Sequence, residues 1–162
     1  MKIEFIGLDR LYDDFSWRIT RRAKAVWKSG NMVIGRHVPT SEVAQLETSI
    51  AKYTKREYAV AVGSGTDALY FALKTKGIGP GKTVLCPAIS FMATAEAVKR
   101  TGANIEFIDI DENGQIGLLT PTNKVDAVVY VNLFGNLANY DVLKKFCEER
   151  KIPLIEDAAQ SL

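Results

Sequence analysis

The sequence predicts an α/β protein built on a mainly parallel, doubly wound sheet. Three observations carry this. From residue 58 to the end of the chain, short apolar runs alternate with segments whose apolar residues recur every three or four positions. The apolar runs are continuous, as strands are when helices cover both faces of a sheet. Polar stretches follow four of those runs, at Gly63–Thr66, Ile89–Phe91, Asn132–Gly135 and Asp157–Gln160. Open α/β sheets bind ligands beyond the carboxyl ends of their strands, so these four stretches should converge on one side.

The elements follow in order. Residues from about Leu11 to Ser29 read as a helix ended by Gly30 and Asn31, and a loop with Gly35 and Pro39 comes next. Thr40 or Ser41 caps a second helix, with Glu42 in its first turn and an apolar face of Val43, Leu46, Ile50 and Tyr53. The run from Tyr58 to Val62 reads as a buried strand, followed by a tight turn and a helix over 66–76. Gly77, Gly79, Pro80 and Gly81 stop that helix. Strands are then predicted at Thr83–Cys86, Ile105–Ile110, Asp126–Val131 and Pro153–Ile155. Helices fall at Phe91–Arg100 and Tyr140–Arg150, and Asp111–Pro121 is a loop. A length of 162 residues with no repeat, low-complexity tract or linker suits one domain over 1–162.

Composition excludes several classes. Hydrophobic residues at 47% and charged residues at 25% are ordinary for a soluble globular protein. A net charge of +2 is too small to argue for nucleic acid. The one basic cluster, Arg18, Arg21, Arg22, Lys24 and Lys28, reads as a solvated helix face opposite Trp17, Ile19, Val26 and Trp27, the expected buried side. No apolar run reaches the length of a membrane span, and the opening MKIEFIGLDR has no signal-peptide core. Cys86 and Cys147 lie in apolar surroundings and read as small core residues of a reducing, cytoplasmic protein.

Two sites carry candidate chemistry. In GSGTDAL, Gly65 brings the backbone close to the start of a helix, where free N–H groups and the dipole favour an anion such as phosphate; Ser64 and Thr66 add hydroxyls. The same residues also suit an ordinary capped strand-to-helix turn. Asp157 follows an apolar strand, where a carboxylate needs a partner: a metal, a cationic side chain or a protonated ring nitrogen. A helix cap is the plain alternative. Phe91, at a strand end, is either core or a surface for a planar ligand. Other motifs fail. DIDENG, Asp109 to Gly114, begins like a calcium loop, but its twelfth position is Thr120. His37 is the only histidine, and no His/Cys spacing suits a metal. Gly63, Gly65 and Ala68 lack the third glycine of a dinucleotide fingerprint, and there is no phosphate-loop lysine, Thr66 being followed by Asp67.

Together and in this order, GSGTDALYFAL, GIGPGKTVLCPAISFMATAEAV, GANIEFIDID, VNLFGN and IPLIEDAAQS resemble the DegT/DnrJ/EryC1/StrS family, from about Gly35 to the last residue. That family consists of sugar aminotransferases that use pyridoxal 5′-phosphate on the fold type I scaffold. The resemblance implies that this chain is most of the large, cofactor-binding domain, incomplete, with the C-terminal small domain absent. It implies that Gly65 and Thr66 hold the cofactor phosphate, Phe91 stacks on the pyridine ring, Asp157 pairs with the pyridine nitrogen and Gln160 lies beside the ring hydroxyl. Asn132 stands where many relatives have His. The Schiff-base lysine is expected beyond Leu162, so no catalytic residue of that kind falls within the chain and the chain alone is expected to be inactive. The implied reaction moves an amino group, usually from glutamate, to a keto group of a nucleotide-linked sugar, in a homodimer. The alternatives are a non-catalytic cofactor- or sugar-binding module, a sugar dehydratase of the same family and, more remotely, a plain nucleotide-binding domain.

Overall fold

Side-chain caps at Ser41 and Ser64 set where two helices begin. The computed structural model describes residues 8–30, 41–117 and 124–161. It divides into two compact units, Met1–Ala61 and Val62–Leu162. In the first, α1 is Leu8–Ser29 and α2 is Glu42–Thr54. Ser41 is the cap of α2: its side chain accepts from the N–H of Ala44 at 3.2 Å. The predicted Gly35–Pro39 loop, Thr40 and His37 lie outside the described residues. Arg22 joins the two helices, its Nε 2.8 Å from Glu42 Oε2 and its guanidinium donating to Gln45 Oε1.

The expected buried faces of this unit do not form. Trp17, Ile19 and Trp27 are exposed, and Val26 is half-buried. Trp17 and Ile19 are two positions apart, about 200° around a helix, and cannot share a face. The Val43, Leu46, Ile50 and Tyr53 stripe has helical spacing but stays exposed. The predicted strand over 58–62 is also absent, and Tyr58, Val60 and Val62 are exposed. A strand needs a ladder partner, and among the described residues this segment has none; the Ala61 N–H donates instead to Glu47 Oε1 at 2.8 Å.

The second unit carries the predicted architecture. After α3 (Gly65–Thr75) come β1 (Thr83–Pro87), α4 (Met92–Thr101), β2 (Asn104–Ile108), β3 (Ala127–Val131), α5 (Tyr140–Arg150) and β4 (Leu154–Asp157). The four strands form one parallel sheet in the order β2-β1-β3-β4. Period-two alternation sends Val84, Cys86, Ala127 and Val129 to one face, against Leu69 and Leu73 of α3 and Ala97 and Val98 of α4. Leu85, Val128 and Tyr130 go to the other face, against Leu143 and Cys147 of α5. Helices on both faces explain why the strand runs are continuously apolar. β2 ends at Ile108 rather than Ile110, because Ile110 turns back to bridge Ile116. Burial pushes the Cys86 thiol up to about 12 and the Cys147 thiol up to about 11, so both are unreactive core groups. Among the described residues, no helix is long and apolar enough to cross a membrane.

The DIDENG segment closes on itself: Asp111 Oδ1 accepts from the N–H groups of Asn113 and Gln115, and its Oδ2 accepts from Asn139 Nδ2 at 2.8 Å. These bonds, that from Gln115 first, hold its carboxyl below the ordinary value of 3.8. Asp126 is held low by the Thr83 N–H and then by Lys82, and Asp67 by Arg100. A carboxyl with a folded pKa below its unfolded one stabilises the fold above the unfolded value and loses that contribution as pH falls toward the folded one. Thermal melts followed by circular dichroism should therefore show Tm falling once the pH drops below about 4. Unchanged melts between pH 5 and pH 3 would contradict these three anchors.

Candidate functional site

The start of α3 defines one wall of the candidate site. Ser64 is extended and caps the helix, its Oγ accepting from the Asp67 N–H at 3.1 Å. Among the described residues, the N–H groups of Gly65 and Thr66 have no acceptor. They are orphan donors of the first turn, at the positive end of the dipole. A Cβ built on Gly65 would meet nothing within 4 Å, so packing does not require glycine there. What the missing side chain leaves is open backbone facing the cavity.

That cavity has a volume of about 210 Å³, and Gly65, Thr66, Phe91, Asp157 and Gln160 all line it. Leu69, Ala93, Val131 and Leu133 complete its apolar wall. Its volume is below the roughly 300–1,000 Å³ of sites for drug-sized ligands and suits a single substituted ring. The lining groups arrive from the start of α3, the start of α4, the end of β4 and the segment after it. Phe91 is the N-cap residue of α4 rather than part of the helix, makes no cap hydrogen bond, and is 77% exposed. Its ring is therefore not core, and a flat apolar surface stands at the cavity wall. Asp157 ends β4 opposite Val131 in the ladder. Its Oδ1 accepts from the Ala159 N–H at 3.1 Å, and among the described residues Oδ2 has no partner. Gln160 Oε1 accepts from the Phe134 N–H at 2.6 Å, which leaves the amide N–H groups of Gln160 to donate elsewhere.

The turn that receives Gln160 is strained. Phe134, 88% exposed, has φ 57, a left-handed conformation unusual for a bulky residue, and Gly135 follows with φ 78. Asn132 does not line the cavity. It is buried, and its Nδ2 donates to Glu156 Oε1 at 2.9 Å and Ser161 Oγ at 2.8 Å, which ties the residue after β3 to β4 and to the segment beyond it. Sequence reasoning missed Leu69, Ala93 and Val131 as wall residues; their helix and strand positions carry no signal of a cavity. It also missed Arg100, whose guanidinium reaches Asp67 Oδ1 at 2.9 Å. The sequence showed only an ordinary Ser/Thr cap at this turn and carried no sign of the ion pair.

The donor set is anion-binding N–H groups at one end, a flat ring at one side and an unmatched carboxylate oxygen at the far strand. It fits a planar heterocycle bearing a phosphate and a basic ring nitrogen, as in pyridoxal 5′-phosphate. Among the described residues, no lysine lines the cavity.

The sequence pattern of the DegT/DnrJ/EryC1/StrS aminotransferase family matches residues 16–162, starting further upstream than Gly35. A UDP-2-acetamido-2-deoxy-3-oxo-D-glucuronate aminotransferase of Pseudomonas aeruginosa is 32% identical over 98% of this chain and 44% of its own length. The structure of Streptomyces venezuelae DesV, in complex with a ketimine intermediate, superposes with a TM-score of 0.88 at 29% identity, covering 99% of this chain and 43% of DesV. NtdA of Bacillus subtilis, solved with bound cofactor PMP, gives 0.86 at 28% identity over 99% of this chain and 37% of NtdA. The chain thus spans less than half the length of these relatives.

Proposed function

The chain belongs to the DegT/DnrJ/EryC1/StrS aminotransferase family, and on that premise we propose that it forms most of the cofactor-binding large domain of a pyridoxal-phosphate enzyme. The enzyme transfers an amino group, from glutamate, to the keto group of a nucleotide-linked sugar. The observation that carries this reading is the convergence of Gly65, Thr66, Phe91, Asp157 and Gln160 on one cavity.

Bound pyridoxal 5′-phosphate supplies an electron sink for the substrate carbon that gains or loses nitrogen. The chain's own residues bind and tune it. The Gly65 and Thr66 N–H groups donate to the phosphate at the positive end of α3. Phe91 covers one face of the ring and keeps water from it. Asp157 holds a proton on the ring nitrogen by its negative charge. The Gln160 amide donates to the ring oxygen, steadied by its bond from the Phe134 N–H. On this reading the lysine that holds the cofactor covalently lies in the part of the relatives' length that this chain does not span. We place the enzyme in the cytoplasm as a homodimer; the exposed apolar residues of α1, α2 and the 58–62 segment are consistent with cover by further protein surface.

Titration of the purified chain with pyridoxal 5′-phosphate, followed by absorbance and tryptophan fluorescence, is expected to show saturable binding competed by inorganic phosphate. Absence of saturable binding would overturn the cofactor assignment for this chain. The dehydratase reading is set apart by assay of the full-length enzyme with nitrogen-labelled glutamate, where label retained in the sugar product identifies amino transfer and a deoxygenated sugar without label identifies dehydration.

A further inference from the structure

The start of α3 contains a charge that opposes the proposed ligand. Asp67 sits at the third position of the helix, and its carboxylate lies at the same positive end that would receive a phosphate. Left unmatched there, an anionic side chain would compete with a dianion for the Gly65 and Thr66 N–H groups.

The structure gives that carboxylate another home. Arg100, in the last turn of α4, places NH1 2.9 Å from Asp67 Oδ1. The same guanidinium lies over the Tyr70 ring, 4.7 Å from its centroid. Asp67 and Tyr70 are three positions apart and share a face of α3, so one arginine grips two points on that face. The other carboxylate oxygen, Oδ2, packs over Gly63, where a Cβ would come within 3.2 Å of it. Gly63 therefore clears the space that the turned carboxylate occupies. Neither Arg100 nor Gly63 lines the cavity.

We infer that Arg100 is a positioning residue for the phosphate site: it draws the Asp67 carboxylate toward α4 and neutralises it, leaving the Gly65 and Thr66 N–H groups to an incoming phosphate. This rests on the cofactor reading above. It goes beyond that reading by assigning the selectivity for the phosphate group to an ion pair outside the cavity.

The test compares two probes, pyridoxal 5′-phosphate and pyridoxal, on the parent chain and on Arg100→Gln, Asp67→Asn and the double variant. The ratio of the two dissociation constants does not depend on the fraction of folded protein. Arg100→Gln is expected to lower the preference for the phosphorylated probe by about tenfold at low salt, with a smaller loss at high salt. Asp67→Asn in the same chain should restore the ratio to near the parent's, since Ser64 still caps the helix and the asparagine brings no charge. Arg100→Lys should keep most of the parent's preference. An unchanged ratio in Arg100→Gln, or no recovery in the double variant, would reduce Arg100 to a structural tie and overturn the inference while leaving the cofactor reading intact. A parent chain that binds neither probe overturns both.

Discussion

Asp157→Asn in the full-length enzyme is expected to lower kcat by about a hundredfold or more, the usual cost of removing one electrostatic group aimed at developing charge. Asparagine keeps the shape of the side chain and can still accept the Ala159 N–H through its Oδ1. It removes the negative charge that would hold a proton on the ring nitrogen. The cavity wall and the phosphate donors are untouched, so the cofactor should still bind, and the loss should fall on kcat rather than on KM. Steady-state kinetics with a cofactor titration of the same variant separates the two quantities. Turnover within about twofold of the parent would remove Asp157 from the role assigned to it, since a twofold change lies far below the expected electrostatic cost.

The second large effect is expected in stability. Leu73 is fully buried in the cluster that joins α3 and α4 to the sheet face of Val84, Cys86, Ala127 and Val129. Leu73→Ala removes those contacts and leaves a cavity beneath α3, at a cost of about 2–5 kcal/mol. Urea unfolding should show the midpoint falling in proportion, and Tm should fall by roughly 10 °C. Because α3 also presents Gly65 and Thr66, phosphate binding should weaken along with stability. In Arg100→Gln, by contrast, the preference for phosphate changes independently of how much protein is folded. A Leu73→Ala variant with an unchanged midpoint would mean that the α3–sheet packing is not what holds this helix.

Much of the second unit was legible because its signals are local. Continuous apolar runs located β1, β3 and β4. Gly102, with φ 86, ends α4 in a conformation that glycine adopts without strain. The GSGTD turn announced both a cap and an anion site, and the structure places the cap on Ser64. The position of Asp157 after a strand marked it as a carboxylate in need of a partner. Phe91 and Gln160 were different: nothing in their spacing separated them from core or surface, and it was the family resemblance that singled them out.

The failures share a physical cause. The 58–62 run has strand composition, yet a strand is a pairing between two segments, and composition cannot supply the second one. The stripe on α2 has the right period, but periodicity says which side of a helix is apolar and not whether anything covers it. For α1, the expected face combined residues that lie on opposite sides of the helix.

The sequence by itself determined the class of fold, the order of the elements in Val62–Leu162, a capped turn at GSGTD and the chemical character of the groups at four strand or loop ends. These follow from hydrophobic period, turn residues and the hydrogen-bonding capacity of single side chains, all of which act over a few residues. Only the tertiary structure decided that the strands pair in the order β2-β1-β3-β4, that Gly65 and Gln160 face one cavity, and that Arg100 reaches across from α4 to Asp67. Those outcomes depend on contacts between residues tens of positions apart, whose energies come from burial and charge pairing in three dimensions and leave no periodic trace along the chain.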